Sequence, residues 1–308
     1  MSLALKIYKD FFIKRFDKDG YVPYLSYIDF NGLKCEKNTF KNSKGVDIAY
    51  FYYNYDQYDE NKIILFLHGI GPGHTAYMSE INTLCSLGYR VLTLDYTGCD
   101  SSGGDKMYSV NAPTRDVNDL LNYLKLDKEV VLVGHSLGAY TSIQTLYLRK
   151  DIRKGVIISG FYSIEKEMLA FMKLHIFTNQ IMRFEKEVEP EYFNLDNLHF
   201  LENTNKRILF IHSKDDNIVP YKTSCKEVEK LANPNLSFII VDKKRHNPNY
   251  TEDAVKYMND TFSAYNSMLK NRLFKTDEER RKWMNEKSLA RMTAQDMEII
   301  NKIIDFIK

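Results

Sequence analysis

Cysteine, proline and tryptophan are scarce in this chain, with four, seven and one among 308 residues. Cys35, Cys85, Cys99 and Cys225 stand far apart with no Cys-x-x-Cys pair, which argues against a zinc site and against a dense disulfide framework. They read as free thiols. Charge excess is missing as well. The 43 basic and 41 acidic residues leave a net +2, so the concentrated basic surface that nucleic acid or an anionic membrane requires is absent. Long apolar runs are also lacking. Charge interrupts the stretch Met1 to Asp10 every few residues, leaving no signal-peptide core, and no later stretch could span a bilayer as a helix. The expected partner is a small molecule, with no nucleic acid and no integral membrane segment, and the expected location is cytoplasmic.

What is present is an alternation of apolar strands and amphipathic helices. A hairpin is expected over 33–53 around the turn Asn42 to Gly45. Buried strands follow at Lys62 to Leu67, Arg90 to Leu94, Glu129 to Val133, Gly155 to Gly160, Arg207 to His212 and Leu236 to Val241. Between them, Asp116 to Leu126 places Val117, Leu120, Leu121 and Leu124 at helical spacing with Asp116 as an acidic cap. The rhythm implies βαβ units, right-handed crossovers and a mostly parallel sheet covered on both faces. A chain of this length reads as one domain over 1–308.

Two stretches break the rhythm. Residues 163–204 form a helical insertion carrying Ile164, Met168, Phe171, Met172 and His175, followed by the acidic Glu185 to Glu191. It reads either as a lid over an apolar pocket or as core packing. Residues 251–295 form an extra helical segment with Val255, Met258, Phe262, Tyr265 and Leu269 along one stripe. A capping box at Thr293 to Asp296 then opens a last helix with Ile300, Ile303, Ile304 and Ile307 on its buried face. Residues 1–27 read as a helix or arm lying on the domain.

The chemistry centres on Gly134-His135-Ser136-Leu137-Gly138, which falls between the unbroken apolar strand Val130 to Val133 and the helix-forming Ala139 to Leu148. A serine at such a junction needs a strained turn with positive φ, tolerated when its neighbours two before and two after lack side chains. The turn would lift the hydroxyl clear of the sheet and leave the Leu137 amide at a helix N-terminus, aimed at a developing oxyanion. A serine nucleophile also needs an imidazole base and a carboxylate to orient it. His246, in the polar loop after the last strand, is the best base among seven histidines. His74 is its rival as a substrate-contacting residue, and His68 and His212 read as backbone-bonding. For the acid, Asp216 is preferred to its turn-bonding neighbour Asp215. The chain order Ser136, Asp216, His246 is the order of α/β hydrolases. The loop His68 to His74 has three glycines that let backbone approach a ligand, which makes the Ile70 amide the second oxyanion donor.

Together, His68-Gly69-Ile70-Gly71, Asp95-Tyr96-Thr97-Gly98-x-x-Ser101, Gly134-His135-Ser136-Leu137-Gly138, Asp216-x-x-Val219-Pro220 and His246 resemble an α/β hydrolase of the monoacylglycerol lipase and serine aminopeptidase branch. The resemblance implies an eight-stranded sheet, a helical cap between the sixth strand and the acid, ester hydrolysis through an acyl-enzyme, and no metal or organic cofactor. Members of that family often carry Gly-His-Gly where Gly98-Cys99-Asp100 stands and Gly-His where Arg245-His246 stands. The sequence therefore reads as a serine hydrolase acting on a small ester with an apolar acyl part. An aminopeptidase or thioesterase using the same triad, and a non-catalytic binding protein on this fold, are the alternatives.

Overall fold

A computed structural model describes residues 3–172 and 175–308, except for the side chains of 171–177. The hairpin forms where expected. Strands β1 (Lys34–Lys41) and β2 (Asp47–Asn54) pair antiparallel, with Phe40 opposite Ile48. They extend a sheet completed by β3 (Lys62–Leu67), β4 (Arg90–Leu94), β5 (Glu129–His135), β6 (Lys154–Ile158), β7 (Arg207–Ser213) and β8 (Leu236–Val241). The strand order is β1-β2-β4-β3-β5-β6-β7-β8. Pairing is antiparallel as far as β4 and parallel from there on.

The strand β5 shows why an unbroken apolar run was needed. Alternate side chains point to opposite faces, and both faces are covered. Val130 and Leu132 pack with Leu120 and Ile143, on α3 (Ala112–Leu124) and α4 (Leu137–Leu148). Val131 and Val133 pack with Ile81 and Ile300, on α2 (Met78–Ser86) and α13 (Met297–Ile307).

Two helix starts differ from expectation. Helix α3 begins at Ala112, with Pro113 in its first turn, where a missing amide proton costs nothing. Asp116 is therefore inside the helix rather than capping it. Its carboxylate is buried, accepts the Thr97 amide at 2.7 Å and Asn42 Nδ2 at 2.8 Å, and pairs with Arg115. The acid thus ties the β1–β2 turn to the loop after β4. Helix α13 is capped by Asp296, which accepts from the Glu298 amide, and not by Thr293. The Thr293 hydroxyl instead closes on the Leu289 carbonyl at 2.9 Å.

Between β6 and β7 lie α5 (Ile164–Met172), α6 (His175–Val188), α7 (Pro190–Phe193) and α8 (Asn197–Asn203). Ile164, Met168 and Ile181 are buried with Leu137 and Tyr140 of α4, so the insertion packs on the helix that follows Ser136. The expected contributions of Phe171, Met172 and His175 lie outside the described residues. Two acids of the acidic run, Glu185 and Glu189, are buried with partners. Glu185 is held by Tyr8 of α1 (Leu3–Phe12), Ser109 and Asn111, and Glu189 by Arg115. After α9 (Cys225–Val228) and β8 come α10 (Glu252–Lys270), α11 (Asp277–Asn285) and α12 (Leu289–Met292). The four cysteines are free thiols.

A buried acid joins this late segment to the sheet layer. Glu80 of α2 is 6% exposed and accepts Asn249 Nδ2 at 3.4 Å, with Tyr250 also bonded to it. Burial pushes the carboxyl up to about 7. Because the folded value lies above the unfolded one, this group's stabilisation is complete below the ordinary glutamate range and is lost as pH rises through about 7. Glu80 should therefore contribute about 2–5 °C to the fall in melting temperature between pH 6 and pH 8.5, so the fall measured by scanning calorimetry should be smaller by about that amount in Glu80→Gln than in wild type. An unchanged difference in the variant would show that another group governs it.

Candidate active site

Ser136 stands between β5 and α4 with φ +57° and ψ −118°, in the positive region that L residues avoid. The flanking glycines explain how it is held there. A Cβ on Gly134 would collide with the carbonyl of Gly138, and a Cβ on Gly138 with that of Leu67. The backbones therefore approach too closely for any side chain, and the turn has no looser alternative. The Ser136 amide is anchored on Ile158 O at 2.9 Å, and its carbonyl accepts the amides of Ala139 and Tyr140 at 3.0 and 3.1 Å. Among the described residues, neither the Leu137 amide nor that of Ile70 donates to a protein acceptor.

Asp216 and His246 are brought together from loops 30 residues apart, with Nδ1 of His246 2.9 Å from Oδ2 of Asp216. The other carboxylate oxygen accepts the amides of Ile218 and Val219 at 2.9 and 3.0 Å. Burial would push this carboxyl up. Hydrogen bonds from His212 and His246, with their charge, outweigh burial and hold it well below the usual carboxylate range. An ionised Asp216 keeps the proton of His246 on Nδ1, so Nε2 presents a lone pair. Asp215 faces elsewhere, accepting from Ser213 Oγ at 2.5 Å and from the Arg245 amide at 3.0 Å. Ser136 forms no side-chain hydrogen bond to His246 among the described residues, and its neighbour His135 contacts His246 directly. Its Nε2–H donates to the His246 carbonyl at 2.8 Å, and the two rings are 4.7 Å apart.

Three further features shape the site, of which only the backbone bond of His212 was expected from the sequence. Burial pushes His135 down to about 3, so it is neutral. With Nε2 donating to His246, its Nδ1 accepts from the Tyr77 hydroxyl at 2.9 Å, and that hydroxyl accepts the Gly69 amide at 3.0 Å. One continuous chain thus runs from the loop carrying Ile70 to the loop carrying His246. His212 donates to Val219 O at 2.9 Å and approaches Asp216 Oδ2 at 3.4 Å, supporting the acid from behind. Glu167 of α5 is 9% exposed, and burial followed by the charge of Asp216 pushes its carboxyl up to about 8.

His68 and His74 are structural. His68 is fully buried, donates from Nδ1 to Gly69 O at 2.7 Å and stacks on Tyr96. His74, expected as a possible substrate contact, is 2% exposed. Its ring is enclosed between Asp95, 2.8 Å from Nδ1, and the Tyr53 hydroxyl, 2.8 Å from Nε2. Burial removes it from that role. Among the described residues, no group of three His, Cys, Asp or Glu side chains could hold a metal ion, and no helix is long and apolar enough to cross a membrane.

A mostly parallel eight-stranded sheet with a strained serine after β5, an acid after β7 and a histidine after β8 is the architecture of an α/β hydrolase. Residues 64–216 match the alpha/beta hydrolase family, and the chain belongs to the α/β-hydrolase superfamily. It is 28% identical over 221 residues to the lysophosphatidylserine lipase ABHD12 of Bos taurus, an alignment covering 64% of this chain and 52% of the relative. The chain thus spans about half the length of the curated relatives it matches. An esterase of Pyrococcus furiosus superposes with a TM-score of 0.59 at 19% identity, covering 84% of this chain and 97% of the esterase. Mouse alpha/beta hydrolase domain-containing protein 10 gives a TM-score of 0.54 at 20% identity, covering 68% and 90%.

The Tyr77 link is open to a direct test. Tyr77→Phe leaves the Gly69 amide and His135 Nδ1 without their partner, which should cost about 1–3 kcal/mol and lower the melting temperature by a few degrees. Wild-type thermal stability in this variant would mean that the chain of hydrogen bonds carries no load.

Proposed function

We propose that this protein is a serine hydrolase that cleaves carboxylic esters through an acyl-enzyme on Ser136. The reading rests chiefly on one observation: His246 pairs with Asp216 at 2.9 Å, and its ring stands 4.7 Å from that of His135, the neighbour of a serine held at positive φ. Ester-cleaving names among the relatives, a lysophosphatidylserine lipase and an esterase, support the reaction class.

In this mechanism Ser136 Oγ attacks the carbonyl carbon while its proton passes to Nε2 of His246. Asp216 stabilises the resulting imidazolium. The oxyanion forms between the Ile70 and Leu137 amides, whose protons have no other acceptor to leave. Collapse breaks the ester C–O bond, the alcohol leaves with the proton from Nε2, and the acyl group stays on Ser136. Water then repeats the sequence, giving up its proton to His246 and releasing the acid. Apo hydrogen bonds between nucleophile and base are often long, and substrate draws them together.

Two observations weigh against an aminopeptidase. Glu185 and Glu189, two acids of the stretch Glu185 to Glu191 that would neutralise a substrate amine, are taken up by Tyr8, Ser109, Asn111 and Arg115. Glu167, whose carboxyl feels the charge of Asp216, is pushed up to about 8 and so is mostly protonated at neutral pH.

Hydrolysis of p-nitrophenyl acetate tests the assignment, with folding followed by circular dichroism. Ser136→Ala should lose about a million-fold in kcat and Asp216→Asn about ten-thousand-fold, whereas Asp215→Asn should stay within about 10-fold of wild type. Activity retained in folded Ser136→Ala would contradict the reading, and a larger loss in Asp215→Asn than in Asp216→Asn would reassign the acid.

A further inference from the structure

Tyr77 forms a partition. Its hydroxyl, held between the Gly69 amide and His135 Nδ1, stands on the Ser136 side, where a Cβ on Gly69 would lie 2.6 Å from that hydroxyl and 3.1 Å from Ser136 Cβ. Its ring also lines a cavity of about 370 Å³. None of Ser136, Leu137, Ile70 and His246 is among the described residues of that lining, so the cavity is separate from the site already described. Met258 and Phe262 of α10 and Met292 of α12 supply one wall, and residues 22–25 of the N-terminal arm close the side. The two parts of the chain that fall outside the strand-helix rhythm therefore meet here. They are joined beyond the cavity by Arg280 stacked over Tyr21 and by Arg281 donating to Gly20 O.

The lining defines what fits. Its volume falls within the ~300–1,000 Å³ of small-molecule pockets, and its walls are largely apolar. Asp19 is the one charged residue among those described in the lining, and it already faces Arg280 at 3.9 Å. A charged ligand would therefore lose its water there without gaining a free counter-ion. Thr75 also belongs to the lining, and among the described residues its buried hydroxyl has no hydrogen-bond partner, which leaves it free for one polar group. The class that matches is an uncharged, mostly apolar molecule with a single polar group.

We propose that this cavity is a second, non-catalytic binding site for an uncharged apolar small molecule, and that its occupant activates hydrolysis by bracing Tyr77. An occupant in contact with the ring packs best when the phenol stands in place. It therefore favours the arrangement in which Tyr77 holds the Gly69 amide and His135, and through His135 the His246 carbonyl. The loop carrying Ile70 and the loop carrying His246 are thus tied to one ring that the cavity can press upon. Met258 and Met292 adapt the wall to molecules of different outline. Binding stands by itself, whereas the activation rests on the esterase reading above.

The test uses the fluorescence of N-phenyl-1-naphthylamine, which is uncharged and carries one N–H, with its sulfonated counterpart 8-anilino-1-naphthalenesulfonate as the charged control. The neutral probe should bind wild type about 10-fold tighter or more than the sulfonate. Met258→Trp, which fills the cavity, should weaken the neutral probe about 10-fold or more, and Met292→Phe serves where that variant does not fold. Saturating probe should raise kcat for p-nitrophenyl acetate about 5-fold in wild type with KM nearly unchanged. In Tyr77→Phe, whose ring still lines the cavity but whose hydroxyl bonds are gone, the probe should bind and leave kcat as it was. Probe affinity unaffected by either filling substitution, or a sulfonate that binds as tightly, would overturn the site. A probe that only raises KM, a bound probe without effect on kcat, or an equal effect in Tyr77→Phe would overturn the bracing. Hydrolysis surviving in Ser136→Ala would refute the esterase reading alone, with the binding result still upholding the cavity as a site.

Discussion

The site depends on one close approach of backbones. Gly134 lies against the Gly138 carbonyl and Gly138 against that of Leu67, so β5, β3 and the start of α4 meet with no room for a side chain. That contact leaves Ser136 nowhere to go except φ +57°, a conformation costing about 1–2 kcal/mol in isolation. Apolar burial on both faces of β5 offsets the cost, since each fully buried Val or Leu contributes about 1.5–3 kcal/mol. The same contact points the Leu137 amide outward at the head of α4. The positions of Ser136 and of the Leu137 amide are thus consequences of a single packing constraint.

The other strained positions are supported in a comparable way. Asp100 and Arg245 occupy places where related hydrolases often carry glycine, and both have positive φ, +31° and +47°. Local hydrogen bonds hold each of them. The Asp100 amide reaches Phe16 O at 2.9 Å and its carbonyl accepts Arg15 Nη2 at 2.7 Å, so the N-terminal arm supports that turn. The Arg245 amide reaches Asp215. Asp215 therefore has a role of its own: it shapes the turn that delivers His246, while Asp216 orients its ring. Adjacent acids at the end of one strand divide the work because their side chains leave in different directions.

Much of this was legible in the sequence because the signals were local. The glycines around Ser136 are two residues away on either side, the run Val130 to Val133 announces a doubly covered strand, and Ile300, Ile303, Ile304 and Ile307 mark one helix face. Contacts between distant residues were not legible. Tyr77 and His135 meet across 58 residues, and His135 meets the His246 carbonyl across 111. The acidic stretch Glu185 to Glu191 has the composition of a solvated or amine-binding patch. Only the fold reveals that Tyr8 and Arg115 occupy two of its carboxylates, Glu185 and Glu189. Asp116 looked like a helix cap because an acid preceded an amphipathic run, yet Pro113 had already started the helix one turn earlier.

The central claim is that Ser136 attacks a carbonyl whose oxygen lies between the amides of Ile70 and Leu137. A crystal structure of the protein after reaction with an alkyl fluorophosphonate tests this most directly, because the bound phosphonate mimics the tetrahedral intermediate. The account predicts phosphorus bonded to Ser136 Oγ, a phosphonyl oxygen about 2.7–3.1 Å from both amides, and His246 Nε2 facing Ser136. A phosphonate on any other residue, or on Ser136 with its oxygen directed away from both amides, would contradict it.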